Sequence, residues 1–471
     1  MRLPRTFDSL SIRDYRLLWL GQVSTSMGQW MDQVTRGWLI YQITGSATQL
    51  GLATAMRGLP LLFFGVLAGA LADRSGRKAQ LIVAQVTNSA LNFILATLVL
   101  TGLVEPWHVY VTAFLAGTVQ AFQQPARQTL VSDIVGPEKL MNALALNSAA
   151  LNASRALGPA AAGAFIALAG IDGSYYLQAA MYAIATIWTF QMRVPKRPAS
   201  HRAREPFLTS IREGFAYVSK EPSIRTQMLI ALGPLTFAMS YTALMPIIAR
   251  DVLGGDSRTQ GLLLSFIGVG ALTGALVVAS MRRSHAYGLP VVLGAAAFAG
   301  GVFAFSWSQW LWLSCGIGFF VGLFNVTYQT QNQTLLQLSA PPRIRGRVMS
   351  IYLLNRGSVP FGALLAGILA ERFSGPTSMS IMSLTALGIL AIVVVTRPQI
   401  LSLAIPLANR EEGDVGPRMR AAERTTALEA PPSVAVEHAL PAAGDAPDLA
   451  SGFAYRRAAL RAATRPQAGD R

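Results

Sequence analysis

Apolar residues along this chain neither alternate nor keep to a single helical stripe. They run on, in stretches about as long as a bilayer is thick. A membrane-spanning helix needs roughly 20 mostly apolar residues. Twelve such stretches occur, at 15–42, 47–72, 79–102, 107–132, 140–169, 173–193, 226–249, 259–281, 288–308, 310–338, 346–370 and 376–397. A bilayer offers no water to backbone N–H and C=O groups, so each stretch is expected to be helical. The pattern predicts an all-α membrane protein of twelve transmembrane helices in two six-helix bundles, over 1–193 and 226–400. Between them lies a basic linker, 194–225. There Phe207, Leu208, Ile211, Phe215 and Val218 share one face of a short helix that would lie on the cytoplasmic surface; a disordered linker is the alternative. The tail, 401–471, is rich in Ala, Pro and charge, has no apolar period and is expected to be disordered.

The two predicted bundles repeat one another. Gly65-Val-Leu-Ala-Gly69-Ala-Leu-Ala-Asp73-Arg74-Ser-Gly76-Arg77-Lys78 has an echo, 205 residues on, in Gly270-Ala-Leu-Thr-Gly274-Ala-Leu-Val-Val278-Ala-Ser-Met-Arg282-Arg283. The same offset carries Gln120, Gln124 and Arg127 onto Asn325, Gln329 and Asn332, and Gln128-Thr129-Leu130 onto Gln333-Thr334-Leu335. A little further on, Arg155-Ala-Leu-Gly-Pro159 corresponds to Arg356-Gly-Ser-Val-Pro360. A six-plus-six repeat is the layout of a transporter whose substrate site lies between its halves.

Composition agrees with the pattern and orients it. Hydrophobic residues make up 52% of the 471 and charged residues 13%, about half the usual charged share of a soluble domain, and the mean hydropathy is +0.41. The net charge of +16 lies wholly before residue 401, because the tail holds nine basic and nine acidic residues. Charge excess beside apolar runs fits loops facing anionic lipid, not a nucleic-acid surface. With both termini inside, 22 basic residues fall in cytoplasmic segments and three (Arg250, Arg258, Arg372) outside. The positive-inside rule therefore places both termini in the cytoplasm. Cys315 is the only cysteine, the four histidines are scattered, and no P-loop sequence occurs. No disulfide framework, metal site or nucleotide-driven motor is expected, and no cofactor. The first apolar run lacks a small-residue cleavage site and reads as a retained helix rather than a signal peptide.

Five arginines (Arg36, Arg57, Arg127, Arg155, Arg356) and Asp32 fall inside the predicted helices. A charge at the bilayer centre costs about 2.5–3.5 kcal/mol on insertion scales, so each should face a partner or a wet cavity. Gln22, Ser26, Gln29, Gln33 and Arg36 recur at three- and four-residue steps, a polar stripe down the first helix. Asp32 precedes Arg36 by four residues, so the side chains can meet. Two readings fit: a carboxylate that alternately takes a proton and pairs with arginine, or a permanent ion pair.

Gly69-x-x-x-Asp73-Arg74-x-Gly76-Arg77-Lys78 resembles motif A of the major facilitator superfamily. A narrower set of signals comprises Trp19-x-Gly21-Gln22, Tyr41-Gln-Ile-Thr44-Gly45-Ser46-Ala47, Ala121-Phe122-Gln-Gln-Pro125-Ala126-Arg-Gln128, Asn142-Ala143-Leu144-Ala-Leu146-Asn147 and Gly158-Pro159-x-x-Ala162-Gly163. Their order resembles the bacterial subgroup that contains the enterobactin exporter and macrolide efflux proteins, the transmembrane secretion effector family, over residues 10–400. This likeness implies the major facilitator fold and a conformational latch. In the latch, Asp73 would face the helix start near 347–351 and Arg77 would pair with Asp133; headgroup anchoring by Arg74, Arg77 and Lys78 is the alternative. Val278 replaces Asp73 in the second copy. Gly158, Pro159 and Gly163 partly match the antiporter motif of that superfamily, with Asn147 and Ser154 where glycines are usual.

In that superfamily the first, fourth, seventh and tenth helices line the cavity. Carried over, this makes Gln22, Ser26, Gln29, Gln33, Gln120, Gln124, Phe237, Tyr241, Asn325 and Gln329 substrate-contact candidates, with interhelix packing as the competing role. Arg155 and Arg356, related by the repeat, would attract an anionic substrate or satisfy helix-end carbonyls. The resulting expectation is a monomeric exporter in the bacterial cytoplasmic membrane, moving an amphiphilic small molecule (a drug, siderophore or secondary metabolite) against protons. Its partners would be that substrate, the proton and membrane lipid. An importer on the same fold, a membrane-embedded enzyme and a non-transporting sensor are the alternatives.

Overall fold

A computed structural model describes residues 5–72, 76–194, 215–281, 288–341 and 344–402. Asp73, Arg74, the linker residues Phe207, Leu208 and Ile211, and the tail beyond 402 lie outside the described residues.

Regular structure among the described residues is helical throughout. In chain order it comprises α1 (Arg13–Thr44), α2 (Ala47–Ala72), α3 (Arg77–Leu100), α4 (Pro106–Val135), α5 (Leu140–Gln191), α6 (Pro222–Thr236), α7 (Ser257–Ser280), α8 (Gly288–Ser306), α9 (Leu311–Ser339), α10 (Arg345–Asn355), α11 (Val359–Arg372) and α12 (Gly375–Thr396). A short helix also covers 215–220, where Phe215 is exposed and Val218 buried.

The elements do not map one to one onto the twelve apolar stretches. α5 takes up two of them as arms meeting at Gly170, whose φ of 78° is a left-handed position that side chains resist. One stretch is instead divided: α10 passes through a 3₁₀ turn, Arg356–Ser358, into α11. The stretch beginning with α6 loses regularity past Pro234, continuing as 3₁₀ helix (Ala238–Leu244), a single turn (Met245–Ile247) and a π-turn (Ile248–Val252). Pro234 removes an N–H from the helical ladder, and a second proline, Pro246, follows.

Seven stretches among the described residues are long and apolar enough to cross a membrane: α3, α5, Pro222–Val252, α7, α8, α9 and α12. α1 and α4 are long, but their polar stripes lower the average.

Helices at corresponding positions of the sequence repeat pair alike, α2 along α4 and α7 along α9. The halves join through two further pairings, α2 on α11 and the first arm of α5 on α7. Both joins use glycine to bring backbones together. A Cβ at Gly51 would sit 2.6 Å from the Ala363 carbonyl oxygen and 3.2 Å from Gly367 Cα; one at Gly261 would sit 2.6 Å from the Pro159 carbonyl oxygen and 3.2 Å from Gly163 Cα. Small residues at such crossings let helices meet without relying on a hydrophobic force, which lipid does not supply.

Both halves bury polar side chains, but among the described residues the buried charges, Asp32, Arg36 and Arg127, all belong to the first. The second half buries an aromatic column in which Tyr241 meets Phe298 edge-on at 6.3 Å and Phe298 stacks on Tyr328 at 5.7 Å. The first half buries polar side chains from α1, α3, α4 and α5: Thr25, Asp32, Thr35, Arg36, Gln85, Asn88, Asn92, Thr112, Arg127, Ser174 and Gln178.

Candidate functional site

The polar stripe of α1 turns inward at Asp32 and Arg36, which are 3% and 5% exposed. Their four-residue spacing delivers the expected contact. Arg36 Nη2 donates to Asp32 Oδ1 at 2.9 Å and Nε to Oδ2 at 3.3 Å. The rest of the Arg36 guanidinium is held by α4, with Nη1 donating to Thr112 Oγ1 at 2.8 Å and to the Val109 carbonyl at 3.1 Å. A second cation completes the group: Arg57 of α2 donates from Nη1 to Asp32 Oδ2 at 2.6 Å. Both carboxylate oxygens are thereby engaged by guanidinium groups. The Arg57 side chain keeps 21% exposure against 4% for Asp32, so it is the more open side of the triad. In the adjacent polar cluster Thr35 Oγ1 and Ser174 Oγ share a hydrogen bond at 2.9 Å and Gln178 Nε2 donates to Thr35 at 3.0 Å.

Of the other α1 candidates, Gln22 donates to Ser26 and both are buried; Gln29 and Gln33 are partly exposed. On α4, Gln120 is partly exposed and Gln124 exposed. On α9, Gln329 Nε2 donates to Asn325 Oδ1 at 3.1 Å, and Asn325 Nδ2 to Met239 Sδ at 3.7 Å. Phe237 sits where α6 loses regularity, and Tyr241 is 2% exposed within the aromatic column. Arg155 holds its guanidinium 5.5 Å from the Trp30 ring centre. The Arg356 side chain lies outside the described residues. Gly158 faces Trp30 of α1, and Gly163 faces the Ser257 carbonyl of α7, so these glycines of the antiporter-like segment lie on the seams of the first arm of α5.

The motif between α2 and α3 is described from Gly76 onward; Gly69 lies within α2. Gly76 precedes the first residue of α3, and Arg77 pairs with Asp133 near the end of α4. Lys78 Nζ donates to the Phe190 and Met192 carbonyls at 2.8 and 2.7 Å, placing a cation on the negative end of the α5 dipole.

Two links that the sequence reading missed cross between the halves at the α1–α2 turn. Tyr41 Oη donates to Asp251 Oδ2. Glu371 of α11 accepts from Ser46 Oγ at 2.9 Å and from the Thr48 backbone N–H at 3.0 Å, at the start of α2. The Thr48 N–H, and after it the Ser46 hydroxyl, hold the Glu371 carboxyl below the usual glutamate range. Arg57 was visible as an in-helix charge but not as a partner of Asp32, because nothing in the spacing of α1 points to α2. Among the described residues no group of His, Cys, Asp and Glu is arranged to hold a metal ion.

The family described as transmembrane secretion effector matches residues 5–431 of this chain. The staphyloferrin A transporter of Staphylococcus aureus is 26% identical over 370 residues, spanning 77% of this chain and 91% of its own length. Macrolide efflux protein A of Streptococcus pyogenes is 24% identical, with 80% and 94% covered. The enterobactin exporter EntS of Escherichia coli is 28% identical, with 75% and 85% covered. In fold, the chain is similar to a bacterial homologue of the human lysosomal transporter Spinster in an inward-facing, occupied conformation. That TM-score is 0.66 at 14% identity, covering 82% of this chain and 97% of the other. It is also similar to a D-xylose–proton symporter, at a TM-score of 0.63 and 14% identity, with 81% and 96% covered.

Proposed function

Because this chain belongs to the transmembrane secretion effector family, whose relatives are major facilitator transporters and not enzymes, we propose that it exports an amphiphilic small molecule by alternating access, exchanging it for protons. The observation that carries the coupling is the Asp32 triad. A carboxylate 3% exposed is held by Arg36 and by the more open Arg57. Protonation of Asp32 releases both guanidinium groups, and loss of the proton draws them back. Two packing states of the first half thus differ by one proton, as antiport requires. Export is favoured over uptake by the relatives described as an enterobactin exporter, a macrolide efflux protein and a multidrug efflux pump and by the glycine- and proline-bearing seam of α5.

On this reading the twelve apolar stretches cross the bacterial cytoplasmic membrane with both termini inside, and the chain works as a monomer. The two links at the α1–α2 turn then hold the outer side together. The Arg77–Asp133 pair is the visible part of a cytoplasmic latch.

The reading is tested by a deletion strain screened for drug susceptibility and for retained metabolites. Loss of the gene should raise susceptibility or retention for at least one amphiphile, and the restored gene should reverse it. No change across drugs, siderophores and secondary metabolites would count against export. The latch is tested with that same compound. Arg77→Asp and Asp133→Arg should each lower its export, and the double exchange should recover most of it; equal loss in all three would reject pairing as the reason.

A further inference from the structure

Three charged side chains among the described residues are less than a tenth exposed: Asp32, Arg36 and Arg127. The first two neutralise each other, and Arg57 adds a further positive charge to the same carboxylate. Arg127, 3% exposed, has no carboxylate within ion-pair distance among the described residues. Its Nη2 donates to Thr25 Oγ1 at 3.1 Å, and its Nη1 has no partner. Thr25 offers a dipole, not a charge, and its hydroxyl is already directed at the Gly21 carbonyl, 2.8 Å away. Buried charges are ordinarily paired, because desolvation is otherwise uncompensated. Among the described residues the first half therefore buries more guanidinium than carboxylate, and Nη1 of Arg127 is an unpartnered donor.

Arg127 sits on the polar face of α4. It follows Gln120 and Gln124 on one face of α4, at a seven- and a three-residue step, and Gln124 is exposed. Its contact with Thr25 places the guanidinium in the seam between α4 and α1. The repeat mate on α9 is Asn332, fully buried, with neither amide atom partnered. The two halves thus present related but unlike groups, a cation on one side and a neutral donor–acceptor on the other.

We propose that Arg127 is the anion-recognition residue for the transported molecule. The substrate would carry a carboxylate or comparable planar oxyanion at the end entering the α1–α4 seam. A guanidinium suits such an oxyanion because its N–H groups form a fixed planar fork. This inference rests on the reading of the chain as an exporter.

The test uses the full chain in proteoliposomes under an imposed pH gradient. Its probes are a panel of amphiphiles, each supplied as carboxylate, amide and amine, with indole-3-acetate, indole-3-acetamide and tryptamine as one triplet. The wild type should move carboxylates in preference to their amides and amines. Arg127→Gln should lower carboxylate export about tenfold or more, the change expected on losing one charge-assisted contact, and leave amide export unchanged, which also shows that the variant folds. Arg127→Lys should restore part of the preference, and Thr25→Val, which keeps the charge, should retain it. If the wild type moves amides or amines as fast as carboxylates, or Arg127→Gln keeps the preference, the anion inference fails while the transport reading stands. If no member of the panel moves, both fail together.

Discussion

Replacing Asp32 with asparagine should abolish export driven by a pH gradient while leaving downhill exchange of the same compound in place. Asparagine keeps the size and much of the hydrogen bonding of the carboxylate but neither ionises nor takes up a proton. Arg36 and Arg57 would then lack the charge that draws them together, and the two proton-dependent states would merge. A fall of about 10²-fold in gradient-driven rate is expected, the low end of what a positioned proton-transfer group contributes in enzymes, read as initial export from proteoliposomes. Undiminished gradient-driven export would leave Asp32 as a permanent ion-pair member and nothing more.

The second large effect concerns stability. Arg36→Gln removes the guanidinium that engages both Asp32 oxygens and also reaches Thr112 and Val109. Breaking a buried pair by removing one partner costs about 3–5 kcal/mol, because the remaining charge is uncompensated. Arg57 still reaches Asp32, so the loss should fall toward the lower end of that range. A double variant with Asp32→Asn should melt at a lower temperature than Arg36→Gln alone, because it takes from Arg57 the carboxylate that the single variant still leaves it. Thermal unfolding of the purified single and double variants reads this. A double variant that melts higher than Arg36→Gln would mean that Arg57 does not compensate the carboxylate left behind.

Much of the architecture was legible because a bilayer constrains sequence strongly. Long apolar runs announced helices, and the order Gly65–Lys78, Gln120–Arg127, Arg155–Pro159 announced the repeat. Local geometry was legible too: Asp32 and Arg36 are one helical turn apart, and the structure joins them. The Arg77–Asp133 pair was reached only through resemblance, since 56 residues separate its members. What was not legible depends on packing between helices distant in sequence. Arg57 meets Asp32 because α2 lies beside α1. Tyr41 meets Asp251, and Ser46 meets Glu371, only because the halves close on each other. The irregular stretch after α6 was likewise missed, although Pro234 and Pro246 marked it, because its apolar content alone reads as continuous helix.

The central claim is exchange of substrate for protons through Asp32. Its most direct measurement is proton movement in inverted membrane vesicles holding an acid interior, followed with a pH-sensitive dye. Adding an exported compound to the outside, which is the cytoplasmic face, should collapse the gradient in wild-type vesicles and leave it unchanged in Asp32→Asn vesicles. A gradient that persists in wild type during uptake of the compound, or that deepens as protons enter with it, would contradict antiport.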